Sequence, residues 1–499
     1  MSREPLPEVP VPRPFPRPRL RSTAAVFTTL SALAATSLVT GPSVAEPFST
    51  TACALKRTDA HHSEGLDTWN AAYPRPTRSL NAVMVFLSFP DAAPRITPAQ
   101  LAADHFPATT RYFEQASYGR FALRAHPLRH WIRMPHPATS YAMQRDWNAT
   151  HRAAYLRDAL AAADGRIDFS RYDVVYFVAD PDAPGVDSDA TKVVNLDTPL
   201  RADGTDIRRV VTVFEQHPPD RLVLAHETGH VFDLPDLYHR PVDGKGDWDT
   251  YVGDWDLMGS QFGLAPDLLG WHKWKLGWLQ QRQVACLREP GPTRLTLEPL
   301  AAGPGAPAVG LAGTRSFGGT AAHGGVGASD EVRASDGVGA SGGLGARGGV
   351  RDFGRASAYG GAPASGGSAA HDGVPAFGGT PAFGLGGGTK LAVVRTGPES
   401  VLAFEARGPV GNDTGACRPG ILVYRISGSA ESGRGPVEVI DAHPHTDACW
   451  ENSVYPPLAD APVALGESFT IPDDDVRVEV EGRTASGAWT VKITVGRSR

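Results

Sequence analysis

The segment HETGHVFDLPD, residues 226–236, restricts the fold more than any other part of the 499-residue chain. His226 and His230 are four apart, so on a helix both imidazoles leave one face, a turn apart. The surrounding run PDRLVLAHETGHVF is apolar outside the motif and opens with the helix-start residues Pro219 and Asp220. This predicts one buried helix over 219–232. Pro235 pushes Leu234 out of helical geometry, so the helix should end close to Asp233. A chain that leaves the helix there and folds back can bring Asp236 to the two histidines.

Two imidazoles and a carboxylate suit zinc and leave a fourth position open. Glu227, beside the first ligand, is placed to act as general base toward a metal-activated water. Asp233 and His239 compete with Asp236 for the third place; Asp236 is preferred because Pro235 breaks the helix before it. The order follows the metzincin-type motif H-E-x-x-H-x-x-G-x-x-[HD], with Asp233 standing where the motif has glycine. Aspartate tolerates the left-handed region better than most residues, though less well than glycine. In VGDWDLMGS, Met258 reads as a tight methionine turn, a soft apolar floor beneath the metal. Asp243, Asp247, Asp249, Asp254 and Asp256 crowd one short loop. Their oxygens suit a calcium ion, the alternative being a solvated acidic loop.

Together, HETGHVFDLPDLY, VGDWDLMGS and APDLLGWHKWKLGWL resemble the immune inhibitor A family of secreted bacterial metallopeptidases. That family's pattern runs HExGHxxGLPDxY, WDxM and a tryptophan-rich helix ending in LGW. The upstream VFLSFPD and YFEQASYGRFAL are similar to its strand–helix–strand entry, so the resemblance covers about residues 80–280. GILVYRIS and VEVIDAHP resemble, more weakly, the β-rich domain that follows there. The resemblance implies zinc-dependent cleavage of protein or peptide substrates, with ligands His226, His230 and Asp236 and Glu227 as base.

Around the motif the expected organisation is α+β. Residues 1–45 read as an export signal, with Ser43 and Ala45 fitting small-x-small cleavage. The rest is then an extracellular protein with no stable membrane association. Residues 46–77 read as irregular, and 78–283 interleave strands with helices as a metzincin-like zinc protease domain. Within it, RRVVTVF alternates like an edge strand, one along which an extended substrate can pair. Tyr238 is a candidate hydrogen-bond donor in the transition state. Residues 284–499 read as short strands of a β-sandwich-like domain, interrupted over 303–388 by a Gly/Ala/Ser-rich insertion expected to be disordered.

Four cysteines in an exported chain suggest two disulfides. Of three possible pairings, Cys417–Cys449 with Cys53–Cys286 is favoured; alternatively Cys53 plugs the metal of a latent precursor as a thiolate. The net charge of −6 is mild and no basic stripe points to nucleic acid. Two other functions compete with the peptidase. One is a catalytically decayed binding or adhesion protein on the same fold. The other is a zinc hydrolase of non-protein amides.

Overall fold

A computed structural model describes residues 52–216, 222–241, 246–303 and 388–497. The expected export signal, Pro219, Asp220, Asp243 and all but the ends of the 303–388 insertion lie outside the described residues. The fold is mixed α and β, with three sheets and few helices.

The first sheet comprises β1 (Leu80–Ser88), β2 (Leu123–Pro127), β3 (Ile132–Arg133), β4 (Val174–Ala179), β5 (Lys192–Ala202) and β6 (Thr205–Val213). Its order is β2-β1-β4-β6-β5, with β3 also alongside β1. Only β5 runs antiparallel to its neighbour. Apolar residues run almost unbroken through β1 because both faces are covered. Ala82, Met84 and Phe86 join one buried cluster, and Val83, Val85 and Leu87 join another. RRVVTVF, all but its last residue Phe214, lies within β6, between β4 and β5, so it is not the edge. The edge is β5, KVVNLDTPLRA, which the sequence reading overlooked. Pro199, Asp197 and a register shift between Asn195 and Leu200 break its alternation, as is usual for edge strands.

The helices are α1 (Pro98–His105), α2 (Ala108–Ala116), α3 (Ala149–Asp164), α4 (Val223–Val231) and α5 (Gly270–Lys275). The helical spacing of residues 97–117 is divided between α1 and α2. Pro107 forces Phe106 into extended geometry and breaks it. Asn148 caps α3 by accepting the N–H groups of Thr150 and His151.

The remaining strands are β7 (Val284–Leu287), β8 (Gly291–Leu297), β9 (Leu391–Arg395), β10 (Ser400–Arg407), β11 (Gly420–Ser427), β12 (Val437–Val439), β13 (Ser468–Ile471), β14 (Val476–Arg483) and β15 (Trp489–Val495). They form two sheets, β12-β11-β10-β9-β7 and β13-β14-β15-β8. Inward residues such as Phe404, Val423, Val478 and Val491 share one core, which makes a β-sandwich. The other face of the five-stranded sheet is also buried. Leu391, Val393, Ala403 and Tyr424 pack into the cluster that contains Leu224, Met258 and Trp271. The expected boundary at 283/284 is therefore no gap in the packing. Arg407 reinforces it, pairing with Glu405 and Asp413 and donating to the carbonyls of Trp255, Ala265 and Asp267.

Residues 52–77 contain no helix or strand, yet Cys53, Leu55, His62, Glu64 and Leu66 are buried. Cys53 is bonded to Cys286 and Cys417 to Cys449, the favoured pairing, so Cys53 is no thiolate plug. Two disulfides are compatible with an extracellular protein. No helix among the described residues is long and apolar enough to cross a membrane. Replacing Cys417 and Cys449, 32 residues apart, by serine should cost about 2–4 kcal/mol. Urea unfolding measures it; an unchanged midpoint would show that the bridge does not constrain the unfolded chain.

Candidate metal centre

Every residue of α4 is buried, so the helix is held by its surroundings rather than by its own nine-residue propensity. Each imidazole is fixed through Nδ1. His226 Nδ1 lies 2.9 Å from the Leu257 carbonyl, and His230 Nδ1 lies 2.8 Å from that of Leu234. Donation from both Nδ1 atoms leaves the Nε2 lone pairs free to face a cation.

They face Asp236. Its Oδ1 is 3.0 Å from His230 Nε2 and 3.5 Å from His226 Nε2. Oδ1 is buried with no hydrogen-bond donor aimed at it. In the neutral form that a metal ligand requires, with each ring bonded through Nδ1, neither contact is a hydrogen bond and three acceptors point at one place, which suits a positive ion. A bound proton reports the same field: burial lowers the His230 imidazole, but the Asp236 carboxylate outweighs burial and carries it up to about 9. Metal binding would displace that proton, so affinity should fall with falling pH.

Asp236 is clamped from the β-sandwich. Ser432 Oγ accepts the Asp236 N–H at 2.8 Å and donates to Oδ2 at 3.2 Å, while Gly433 N–H donates to the Asp236 carbonyl. Nothing local in the sequence signals Ser432, which lies 196 positions away.

The turn between helix and ligand depends on Asp233. Leu234 N–H bonds back to the Gly229 carbonyl, and Asp233 has φ 67°. This is the left-handed helix end that glycine usually supplies. In aspartate it costs about 1 kcal/mol. Its carboxylate forms an ion pair with Arg57 at 2.7 Å, not aligned as a hydrogen bond, and lies 3.1 Å from His62 Nδ1. Lys275 Nζ donates to its carbonyl. Burial would raise the Asp233 carboxyl, but Lys275, His62 and Arg57 hold it below its ordinary value. Burial also lowers His62 to about 3, which keeps it neutral. Asp233 thus points away from the metal point, and His239 Nδ1 meets the Tyr251 hydroxyl. The histidines are joined by Asp236, as preferred, and the three ligand atoms lie within 4.8 Å of one another.

Met258 lies beneath the helix as expected: a Cβ at Gly229 would run into its Sδ. Gly229→Ala should therefore destabilise the protein by about 1–3 kcal/mol. A thermal scan measures this, and no loss would mean that Met258 moves aside freely. The turn is tied to its neighbours. Met258 N–H donates to Asp256, and its carbonyl accepts from Leu237.

Glu227 Oε2 accepts the Val193 N–H of β5 at 2.7 Å. Burial raises its carboxyl, partly offset by His230 and His226. His226, His230, Asp236, Glu227, Tyr238 and the β5 residues Lys192, Val193 and Asn195 line a cleft of about 290 Å³.

The expected calcium loop does not assemble among the described residues. Asp254 accepts from Leu264, Ser453 and Val454, and Asp256 from Met258, Leu269 and His272. Each oxygen of these two carboxylates is already turned to a donor, so neither is free to share a cation. A second grouping, Asp441, His443 and Asp460, is closed in the same way, with His443 bridging the Asp460 carbonyl and Glu467.

No protein-family model matches the chain, and no curated protein matches it.

Proposed function

We propose that this chain is a secreted zinc-dependent endopeptidase similar to the immune inhibitor A family. The observation that carries the reading is the convergence of His226, His230 and Asp236 on one point beside Glu227, in a cleft bordered by a sheet edge. Two imidazoles and one carboxylate are the ligand set of catalytic zinc, whereas calcium takes only oxygens. The left-handed turn at residue 233 and Met258 under Gly229 support a metzincin-like arrangement.

A zinc ion held there supplies Lewis-acid polarisation of the scissile carbonyl and acidifies water. Glu227 handles the proton. With Oε2 fixed by Val193, Oε1 can accept a proton and return it to the leaving amine. Tyr238 stays protonated, because burial first, and then the charges of Asp236 and Glu227, raise its phenol. It can offer an O–H to a developing negative charge. β5, rather than β6, offers the backbone along which an extended peptide pairs.

The test is casein or gelatin hydrolysis by the purified protein, with and without o-phenanthroline, alongside zinc analysis. One zinc per chain and chelator-sensitive cleavage are expected. Zinc without cleavage would favour the non-catalytic binding protein; neither zinc nor cleavage would remove the metal reading too.

A further inference from the structure

Asp233 lies where two ligands are decided. The carbonyl that orients His230 belongs to the next residue, Leu234, and Asp236 follows after Pro235. A small rotation at Asp233 therefore moves both together. Glycine could hold the same φ without help. Aspartate cannot: its carboxylate is fully buried and needs a countercharge. Lys275 supplies part of that countercharge, and the irregular segment 52–66 supplies the groups that touch the carboxylate itself. Arg57 reaches Oδ2, and His62 donates to Oδ1 while its ring stacks on His230 at 5.6 Å between centroids.

We propose that residues 52–66 are a permanent part of the metal centre, with Arg57 and His62 acting through Asp233 as positioning residues for His230 and Asp236. The proposal rests on the metal-binding part of the reading above. The segment is built to hold this position. Cys53 is bonded to Cys286 beside it, Leu66 N–H pairs with the Leu55 carbonyl, and Glu64 meets His272 at 3.0 Å. It follows that the segment is not a detachable leader; its removal would strip the buried carboxylate of both side chains that touch it and leave only Lys275 nearby.

The test measures zinc affinity of the full-length protein by competition with a chromophoric chelator, together with the absorption spectrum of the cobalt-substituted form. Arg57→Ala should weaken zinc about 10–100-fold and alter the cobalt spectrum, while Arg57→Lys, which keeps the charge, recovers part of the loss. In an Asp233→Gly background, Arg57→Ala should change affinity by no more than about twofold, because the group it serves is gone. Wild-type affinity and an unchanged spectrum in Arg57→Ala would overturn the proposal. Should that variant fail to fold, Asp233→Asn makes the same comparison from the other side of the pair. The two readings separate cleanly. Wild-type protein that binds zinc but cleaves nothing removes the peptidase and leaves the strut. Cleavage with an indifferent Arg57 removes the strut and leaves the peptidase. Wild-type protein that takes up no zinc overturns both.

Discussion

Glu227→Gln is expected to retain one zinc per chain yet lose casein cleavage by about 10²–10⁴-fold. The side chain is not a ligand: its Oε2 is tied to Val193, and the three converging atoms belong to His226, His230 and Asp236. Glutamine preserves that anchor, since its carbonyl oxygen can accept the Val193 N–H, but it cannot take a proton. Loss of turnover should therefore fall on kcat, with KM little changed. Asp236→Ala should instead lose metal and activity together. If Glu227→Gln kept its activity, another group would have to be the base and the assignment of roles in the cleft would fail.

His272 governs the second large effect. It is fully buried between Glu64 on Nε2 at 3.0 Å and Asp256 on Nδ1 at 3.2 Å. Burial lowers its imidazole, but the two carboxylates outweigh burial and carry it up to about 9. A group raised on folding stabilises fully below its unfolded value near 6.5, and that contribution disappears as pH rises through about 9. Glu64 is shifted the other way: burial would raise it, while His272 and Lys275 hold it low. Its contribution is present above about 4.5 and is lost in acid. His272→Leu strands two buried carboxylates and should cost about 3–5 kcal/mol near neutrality. The stability gap between wild type and variant, measured in chelator, should narrow from pH 6.5 to 9. A constant gap would mean that His272 is neutral when folded. Because Asp256 also holds the Met258 turn, and the Leu257 carbonyl holds His226, the variant should also bind metal less well.

The helix, the grouping of His226, His230 and Asp236 and the methionine turn were legible because they obey local rules: imidazoles one turn apart, a proline that ends a helix, a methionine in a tight turn. Strands buried on both faces were equally plain, since β1, β4, β9 and β11 are nearly continuous apolar runs. What escaped notice depended on distant partners. β5 looks like a loop, with Pro199 and a polar face, until β6 pairs with it. Asp233 reads as a flaw in the motif until Arg57 and His62 arrive from far upstream. Asp254 and Asp256 read in the sequence as candidate calcium ligands, and only the donors they already hold show otherwise.

The clamp of Ser432 on Asp236 has a consequence in time. A chain made from its N-terminus carries His226, Glu227, His230 and Asp236 well before residue 432 exists, and Cys286, the partner of Cys53, is added in between. Until the loop between β11 and β12 has folded, Oδ2 of Asp236 has no serine to fix it and the carboxylate can turn away from the histidines. Growth of the chain thus acts as a delay: the residues of the candidate metal centre are synthesised early but are brought into order late.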